Sequence, residues 1–253
     1  MMSTDLYNQL LWGWIVLGFV SFFFLLRQRQ PYGRHITPGW GPVIPNQIGW
    51  MIMEGVAPLF ISFWYWTGSL EKSTASHFFY GMYVLHYIYR SFIFPFRTHT
   101  QGKKIPLLIS GSAVFFNFCN TFILGYYLGN LGGNYSDEYF FSFRFLLGIV
   151  IMLAGFYINF RSDNILIGLR KPGETGYKLP KGFLFSYLSC PNHFGEIMEW
   201  FGFAILMGNL AGWSFALWTF VNLVPRAMDH HRWYQQQFAD YPKERYAVIP
   251  YIL

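Results

Sequence analysis

The chain reads as an all-α integral membrane protein of seven transmembrane helices, with its N-terminus outside and its C-terminus cytoplasmic. Three observations lead there. Hydrophobic residues make up 53% of the 253 residues and aromatics 23%, while charged residues make up 12%; soluble domains carry about 25% charged residues. Long, nearly uncharged runs recur along the chain, which is the pattern of a multi-span protein. The basic residues fall in alternate connections between those runs, which sets an orientation.

The first run, Leu10 to Leu26, lacks a basic n-region and a small-residue cleavage site. It is therefore expected to span the membrane, at 8–27, rather than to be a signal peptide. Further apolar runs predict spans at 48–67, 76–96, 105–129 and 139–160. The apolar stretch 194–225, as one straight helix, would be roughly 48 Å long, too long for a hydrocarbon core of about 30 Å. Gly208, Asn209 and Gly212 offer a turn in its middle. A tight pair of helices is expected there, which brings the count to seven.

Charge placement supports that count. Arg27, Arg29 and Arg34 follow the first span, and Arg97, Lys103 and Lys104 the third. Arg161, Arg170, Lys171, Lys178 and Lys181 follow the fifth, and Arg226, Arg232, Lys243 and Arg245 the last. The other connections hold Glu71, Lys72, Asp137 and Glu138, with little net charge. The signs alternate only if 194–225 crosses twice. No internal repeat or low-complexity segment occurs, so 1–253 is expected to be one membrane domain, with a cytoplasmic loop region at 161–192 and a cytoplasmic C-terminal segment at 226–253.

The same features narrow the function. A net charge of +6 could suggest nucleic acid, but charges confined to loops between apolar runs do not. Cys119 and Cys190 offer neither a disulfide framework nor a metal cluster. Neither a G-x-G-x-x-G nor a G-x-x-x-x-G-K-[ST] pattern is present, so a soluble-type nucleotide domain is unsupported. No Ser-His-Asp set can be specified. The loop "RSDNILIGLRKPGETGYKLPKG" is long enough to be functional or disordered. Ile165, Leu166, Ile167 and Leu169 argue against disorder.

Polar groups at membrane depth are few: Glu54, Tyr87, Arg90, Asn117, Asn120, Arg144, Asn159, Asn192, Glu196 and Glu199. Ionisable groups there are costly and mark candidate sites. Asn192, Glu196 and Glu199 recur at i, i+4 and i+7, one helix face; the alternative reading is a polar seam between helices. Glu54 lies among Met and Trp residues, where desolvation favours the protonated acid, a hydrogen-bond donor. Tyr87 shares a face with Arg90 and Ser91, and taken alone is an ordinary aromatic of an aromatic-rich chain. "RAMDHHRWY" at Arg226–Tyr234 reads as an interfacial anchor or as a holder of a phosphate-bearing ligand. Metal binding by Asp229, His230 and His231 is the weakest reading, since adjacent histidines project to different faces.

At these residues the chain resembles the steroid 5α-reductases. The stretch from Asn159 to Leu253 carries "INFRSDNILIGLRKPGETGYKLPKGFLFSYLS", "NHFGEIMEWFGFA", "RAMDHHRWY" and "FADYPKERYAVIPYIL". Upstream, "PYGRH" at Pro31–His35, "HYIYRSF" at His86–Phe92 and "NTFILGYY" at Asn120–Tyr127 also fit. The resemblance implies a seven-helix membrane fold and an NADPH-dependent reductase of the Δ4 double bond of 3-keto steroids. It implies a catalytic, substrate-binding pair, Glu54 on the second helix and Tyr87 in the H-Y-x-x-R motif. Met53 stands where the family has Gln, which removes one polar contact; Met53 and Asn120 complete the implied substrate set. The implied cofactor residues are Asn159, Asp163, Arg170, Tyr177, Asn192, Glu196, Arg226, His230 and Tyr234, with Arg90 added, and the 161–192 loop region is expected to cover the cofactor. Asn192 and Glu196 would then face a nucleotide rather than lipid, since a carboxylate suits hydroxyl or amide N–H donors.

The implied partners are the bilayer and a hydrophobic steroid-like substrate, with no nucleic acid, no metal and no obligate protein partner. The brevity of the chain suggests a prokaryotic homologue and hence a bacterial inner membrane. Three rivals are a reductase of another sterol or enoyl substrate, an isoprenylcysteine-type methyltransferase, and a proton-coupled transporter using Glu54, Glu196 and Glu199 as a relay. The basic Arg170–Lys171 loop favours a phosphate-rich cofactor over the transporter.

Overall fold

A computed structural model describes residues 2–28, 39–98, 100, 102–132, 135–170, 174 and 176–253. The "PYGRH" motif at 31–35, with Arg29, Arg34 and Lys171, lies outside the described residues. In order, the elements are α1 (Thr4–Arg27), β1 (Val43–Pro45), α2 (Asn46–Thr67), α3 (Thr74–Ile88), α4 (Phe94–Arg97), β2 (Lys104–Pro106), α5 (Leu107–Tyr126), α6 (Phe143–Gly168), α7 (Pro191–Met207) and α8 (Leu210–Gln237). A π-helical turn at Tyr89–Ile93 joins α3 to α4, and another at Tyr127–Leu131 extends α5. Among the described residues, four helices are long and apolar enough to cross a membrane by length and composition: α1, α2, α5 with its extension, and α6.

The chain divides into two compact units, Met1–Trp12 with Gln30–Phe145, and Gly13–Arg29 with Leu146–Leu253. In the first, α2 lies against α5. Glycines permit the approach: a Cβ on Gly125 would sit 2.8 Å from the Trp64 Cβ, and one on Gly129 would overlap the Trp64 carbonyl. Asn117 donates to the Met53 carbonyl at 2.6 Å, which ties the middles of the two helices together. Their N-terminal ends are joined by β1 and β2, antiparallel with Ile44 opposite Ile105. At the other end Lys72 donates to the carbonyls of Gly68, Leu70 and Gly129 at 2.9, 2.5 and 3.2 Å, supplying donors to chain ends that have run out of backbone N–H groups.

In the second unit α6 and α7 meet backbone to backbone. Gly155 and Gly195 face each other, and a Cβ on either would overlap the other helix, at the Glu199 and Asn159 amides. Gly202 presses on Met152 one heptad further along, with Gly148 against Leu206. Such small-residue contacts let membrane helices approach closely. Gly195→Ala is therefore expected to cost about 1–3 kcal/mol of stability through overpacking, read as a lower melting temperature in detergent. Gly111→Ala, which meets nothing within 4 Å, serves as the control and should not lower it.

The turn expected within 194–225 is present. Gly208 closes α7 in the left-handed conformation at φ 62°, and the Asn209 side chain caps α8 by accepting from the Gly212 N–H at 3.0 Å. Two boundaries differ from expectation. The helix expected to end at 160 continues to Gly168, so the 161–192 region begins as helix rather than loop. Arg161, Ser162, Asp163 and Asn164 end the apolar run, but nothing in them ends a helix, and Ser162 and Asp163 are buried. Likewise α8 runs through Pro225 to Gln237, which makes the "RAMDHHRWY" motif helical.

Candidate functional site

The first unit gathers polar groups around Glu54. Pro58, one turn further along α2, has no N–H to give the Glu54 carbonyl. On α3 the Tyr83 and Tyr87 rings lie 4.6 Å apart. The Tyr83 hydroxyl is buried within electrostatic reach of the Glu54 carboxyl. The helix widens immediately after Tyr87. Ser91 donates to the Tyr87 carbonyl at 2.5 Å inside the π-helical turn, a device found often at functional sites. The structure therefore brings Glu54 and Tyr87 into one cluster, and adds Tyr83, which sequence reasoning missed. Its signal was the i, i+4 spacing to Tyr87. Met53 is buried, its carbonyl held by Asn117. Asn120 is buried too, and donates to the Phe116 carbonyl one turn back at 3.1 Å. The Arg90 guanidinium sits 4.4 Å from the Phe94 ring centroid and 5.5 Å from that of Trp50, a cation over aromatic faces.

The second unit gathers a different set. Asn159 and Asp163, one turn apart on α6, meet Asn192 and Glu196, one turn apart on α7. Asn159 Nδ2 donates to the Asn192 carbonyl at 3.0 Å and to Glu196 Oε2 at 3.4 Å. Asn192 Nδ2 donates to Asp163 Oδ1 at 3.2 Å. The Gly155–Gly195 contact is what places these four side chains within reach. Glu199, expected on the same face, is 1% exposed with its backbone against Gly155, whereas Glu196 is only partly buried.

On α8, Arg226, His230 and Tyr234 recur every four residues on one face. The His230 ring lies 5.8 Å from that of His193 on α7. Asp229 is engaged by Arg232 at 2.7 Å. Arg170, just beyond α6, lies 5.9 Å from the Tyr177 ring, and Tyr177 packs edge-on against Trp233 at 4.8 Å. The segment holding Tyr177 is thereby pinned to the end of α8.

A second layer stands behind these residues. Arg245 is 6% exposed and gives one N–H to the Pro180 carbonyl at 3.1 Å. Its Nε and Nη1 are buried with no hydrogen-bond partner among the described residues. Ser189, His231 and Tyr241 form a hydrogen-bonded knot. Burial lowers the proton affinity of His231 from the usual imidazole value. Burial likewise raises Tyr241, partly offset by its bond to Ser189 and by Arg245. Sequence reasoning singled out none of Ser189, Tyr241 or Arg245 as site residues, since each acts through partners far away in the chain.

This donor set fits a phosphate-bearing dinucleotide. Arg170, Arg226 and a buried Arg245 with unused N–H groups suit phosphate oxygens. Asp163 and Glu196 can accept from ribose hydroxyls or an amide N–H, and the tyrosine rings offer stacking faces. Among the described residues no group of three His, Cys, Asp or Glu side chains could hold a metal ion.

Comparison with known proteins bears on the same stretch. Residues 103–253 match the sequence pattern of the family described as 3-oxo-5-alpha-steroid 4-dehydrogenase. The chain is 38% identical to the steroid 5-alpha-reductase DET2 of Gossypium hirsutum over 92% of its own length and 91% of the relative's. It is 39% identical to the human 3-oxo-5-alpha-steroid 4-dehydrogenase 1, covering 89% and 88%. With the DET2 protein of Solanum lycopersicum it is 36% identical over 100% of both chains. Since plant and mammalian relatives are matched nearly end to end, the brevity of the chain carries no weight for a bacterial source.

Proposed function

Because the chain belongs to the 3-oxo-5-alpha-steroid 4-dehydrogenase family, we propose that it is a membrane-embedded, NADPH-dependent reductase of the C4–C5 double bond of 3-keto-Δ4 steroids. The observation that carries this reading is the separation of chemistry between the two units. One holds an acid and a tyrosine in an apolar setting, and the other holds arginines, carboxylates and amides in the proportions a dinucleotide needs. Membership in a reductase family leaves the methyltransferase and transporter alternatives without support.

When bound, NADPH supplies a hydride to C5, the β-carbon of the enone. The chain's own residues govern the rest. As C5 is reduced, negative charge develops on the 3-keto oxygen. Glu54, in its protonated form, and Tyr87 donate hydrogen bonds to that oxygen and stabilise the charge. Tyr83, whose ring packs 4.6 Å from that of Tyr87, orients the second donor. The resulting enolate takes a proton at C4, which restores the ketone and completes the addition of two hydrogens. Arg170 and Arg226 hold phosphates, Asn159, Asp163, Asn192 and Glu196 hold the hydroxyl and amide groups, and His230 and Tyr234 form the α8 side of the nucleotide site. Met53 and Asn120 shape the substrate wall, and Met53 favours an apolar substrate face.

The same reading makes the protein multi-pass, with seven crossings, an outside N-terminus and a cytoplasmic C-terminus; the alternation of basic connections supports it. The function is tested by adding a Δ4-3-keto steroid to purified protein and following NADPH oxidation. Consumption is expected with NADPH and weak with NADH. No consumption with any enone steroid, in protein that is folded and membrane-inserted, would sink the proposal.

A further inference from the structure

The C-terminal segment reaches back to three elements that carry the proposed nucleotide residues. Its Tyr246 carbonyl accepts from the Ser189 N–H at 2.8 Å, and its Ala247 carbonyl from the Cys190 N–H at 3.0 Å. These bonds fix the chain just before α7, the helix of Asn192 and Glu196. Arg245 donates to the Pro180 carbonyl and so holds the segment that follows Tyr177. Tyr241 stacks on Tyr234 of α8, with ring centroids 6.0 Å apart and an interplanar angle of 8°.

Tyr241 is the common member. Its ring meets both Tyr234 and the Arg245 cation, the latter at 5.4 Å. Its hydroxyl donates to Ser189 Oγ. Ser189 Oγ donates in turn to the Tyr246 carbonyl at 3.1 Å. His231 closes the knot. The Gln235 amide nitrogen stands 2.8 Å from His231 Nε2, and an amide N–H₂ can only donate, so Nε2 is the acceptor. The ring proton then sits on Nδ1 and is given to Ser189 Oγ at 2.6 Å. Ser189 thus accepts two hydrogen bonds and donates one, and every polar atom of the knot is used. A fully satisfied, largely buried network of this kind rigidifies what it joins.

Building on the NADPH-reductase reading, we propose that Tyr241, with Ser189 and His231, is a positioning cluster that sets Tyr234, the start of α7 and the Pro180 segment in the arrangement that binds the dinucleotide. None of the three touches the cofactor; they act through the residues they hold.

The test uses full-length enzyme in detergent and three variants, Tyr241→Phe, Tyr241→Leu and Ser189→Ala. NADPH affinity is read from nucleotide fluorescence, alongside the melting temperature without NADPH and KM for the steroid. Tyr241→Phe keeps the stacked ring and loses one hydrogen bond, so NADPH binding should weaken about fivefold. Tyr241→Leu also loses the ring contact and should weaken it about tenfold or more. Ser189→Ala should resemble Tyr241→Phe. In all three the steroid KM should stay within about twofold, a split that general loosening would not produce. If Tyr241→Leu fails to fold, Tyr241→Phe and Ser189→Ala decide. Unchanged NADPH affinity in the folded variants overturns the proposal, and so does a parallel rise in steroid KM. Wild-type protein that binds no NADPH would overturn the reductase reading itself, whereas wild-type binding with unchanged variants overturns only the positioning role.

Discussion

Glu54→Gln is expected to lower turnover of a Δ4-3-keto steroid about a hundredfold or more, at nearly unchanged NADPH affinity. Removing one preorganised donor to a developing oxyanion costs about 2.7–4 kcal/mol. The substitution keeps the size of the side chain but replaces the strong carboxylic O–H donor with a much weaker amide N–H donor. Tyr87→Phe should lower turnover similarly, because it removes only a hydroxyl and leaves the ring against Tyr83. Steady-state kinetics checks both. Two variants that turn over at the wild-type rate would show that the cluster around Glu54 does not hold the ketone. Glu54 would then be a structural group of α2.

The second large effect is expected at the nucleotide end. Arg226→Ala and Arg170→Ala each remove a cation assigned to a phosphate, and Glu196→Ala removes an acceptor that Asn159 orients from α6. Charge-assisted contacts of this kind contribute about 1.5–3 kcal/mol, or roughly ten- to hundredfold in affinity. NADPH affinity should fall by that factor in each variant, with the melting temperature of the NADPH-free protein unchanged. Affinities at wild-type values in all three would make these residues structural.

Much of this was legible in the sequence, for identifiable reasons. The break at Gly208 and Asn209 was readable because a left-handed glycine and a capping asparagine are local signals. The i, i+4 spacing of Asn192 and Glu196 was readable because helix periodicity is local too. What could not be read is what depends on approach between distant segments. The end of α6 was placed too early because apolarity marks the membrane, not the helix, and Ser162 and Asp163 are helical without being apolar. The pairing of β1 with β2 joins residues some sixty positions apart (Ile44 opposite Ile105), and no pattern in either tripeptide announces it. Gly155 and Gly195 look like helix-weakening residues in isolation; only their mutual contact shows that they seat Asn159 beside Glu196. The knot of Ser189, His231 and Tyr241 has the same character. In the sequence His231 was one of a histidine pair with several readings, and its partners were a serine and a tyrosine unremarkable in themselves.

The most direct test of the central claim follows the hydrogen itself. Purified protein is given a Δ4-3-keto steroid and NADPH deuterated at the transferring position of nicotinamide C4, and the product is examined by mass spectrometry and NMR. The account predicts one deuterium per product, on C5, with the new hydrogen at C4 drawn from solvent. A product without deuterium, deuterium at C4 in place of C5, or no reduction at all would contradict it.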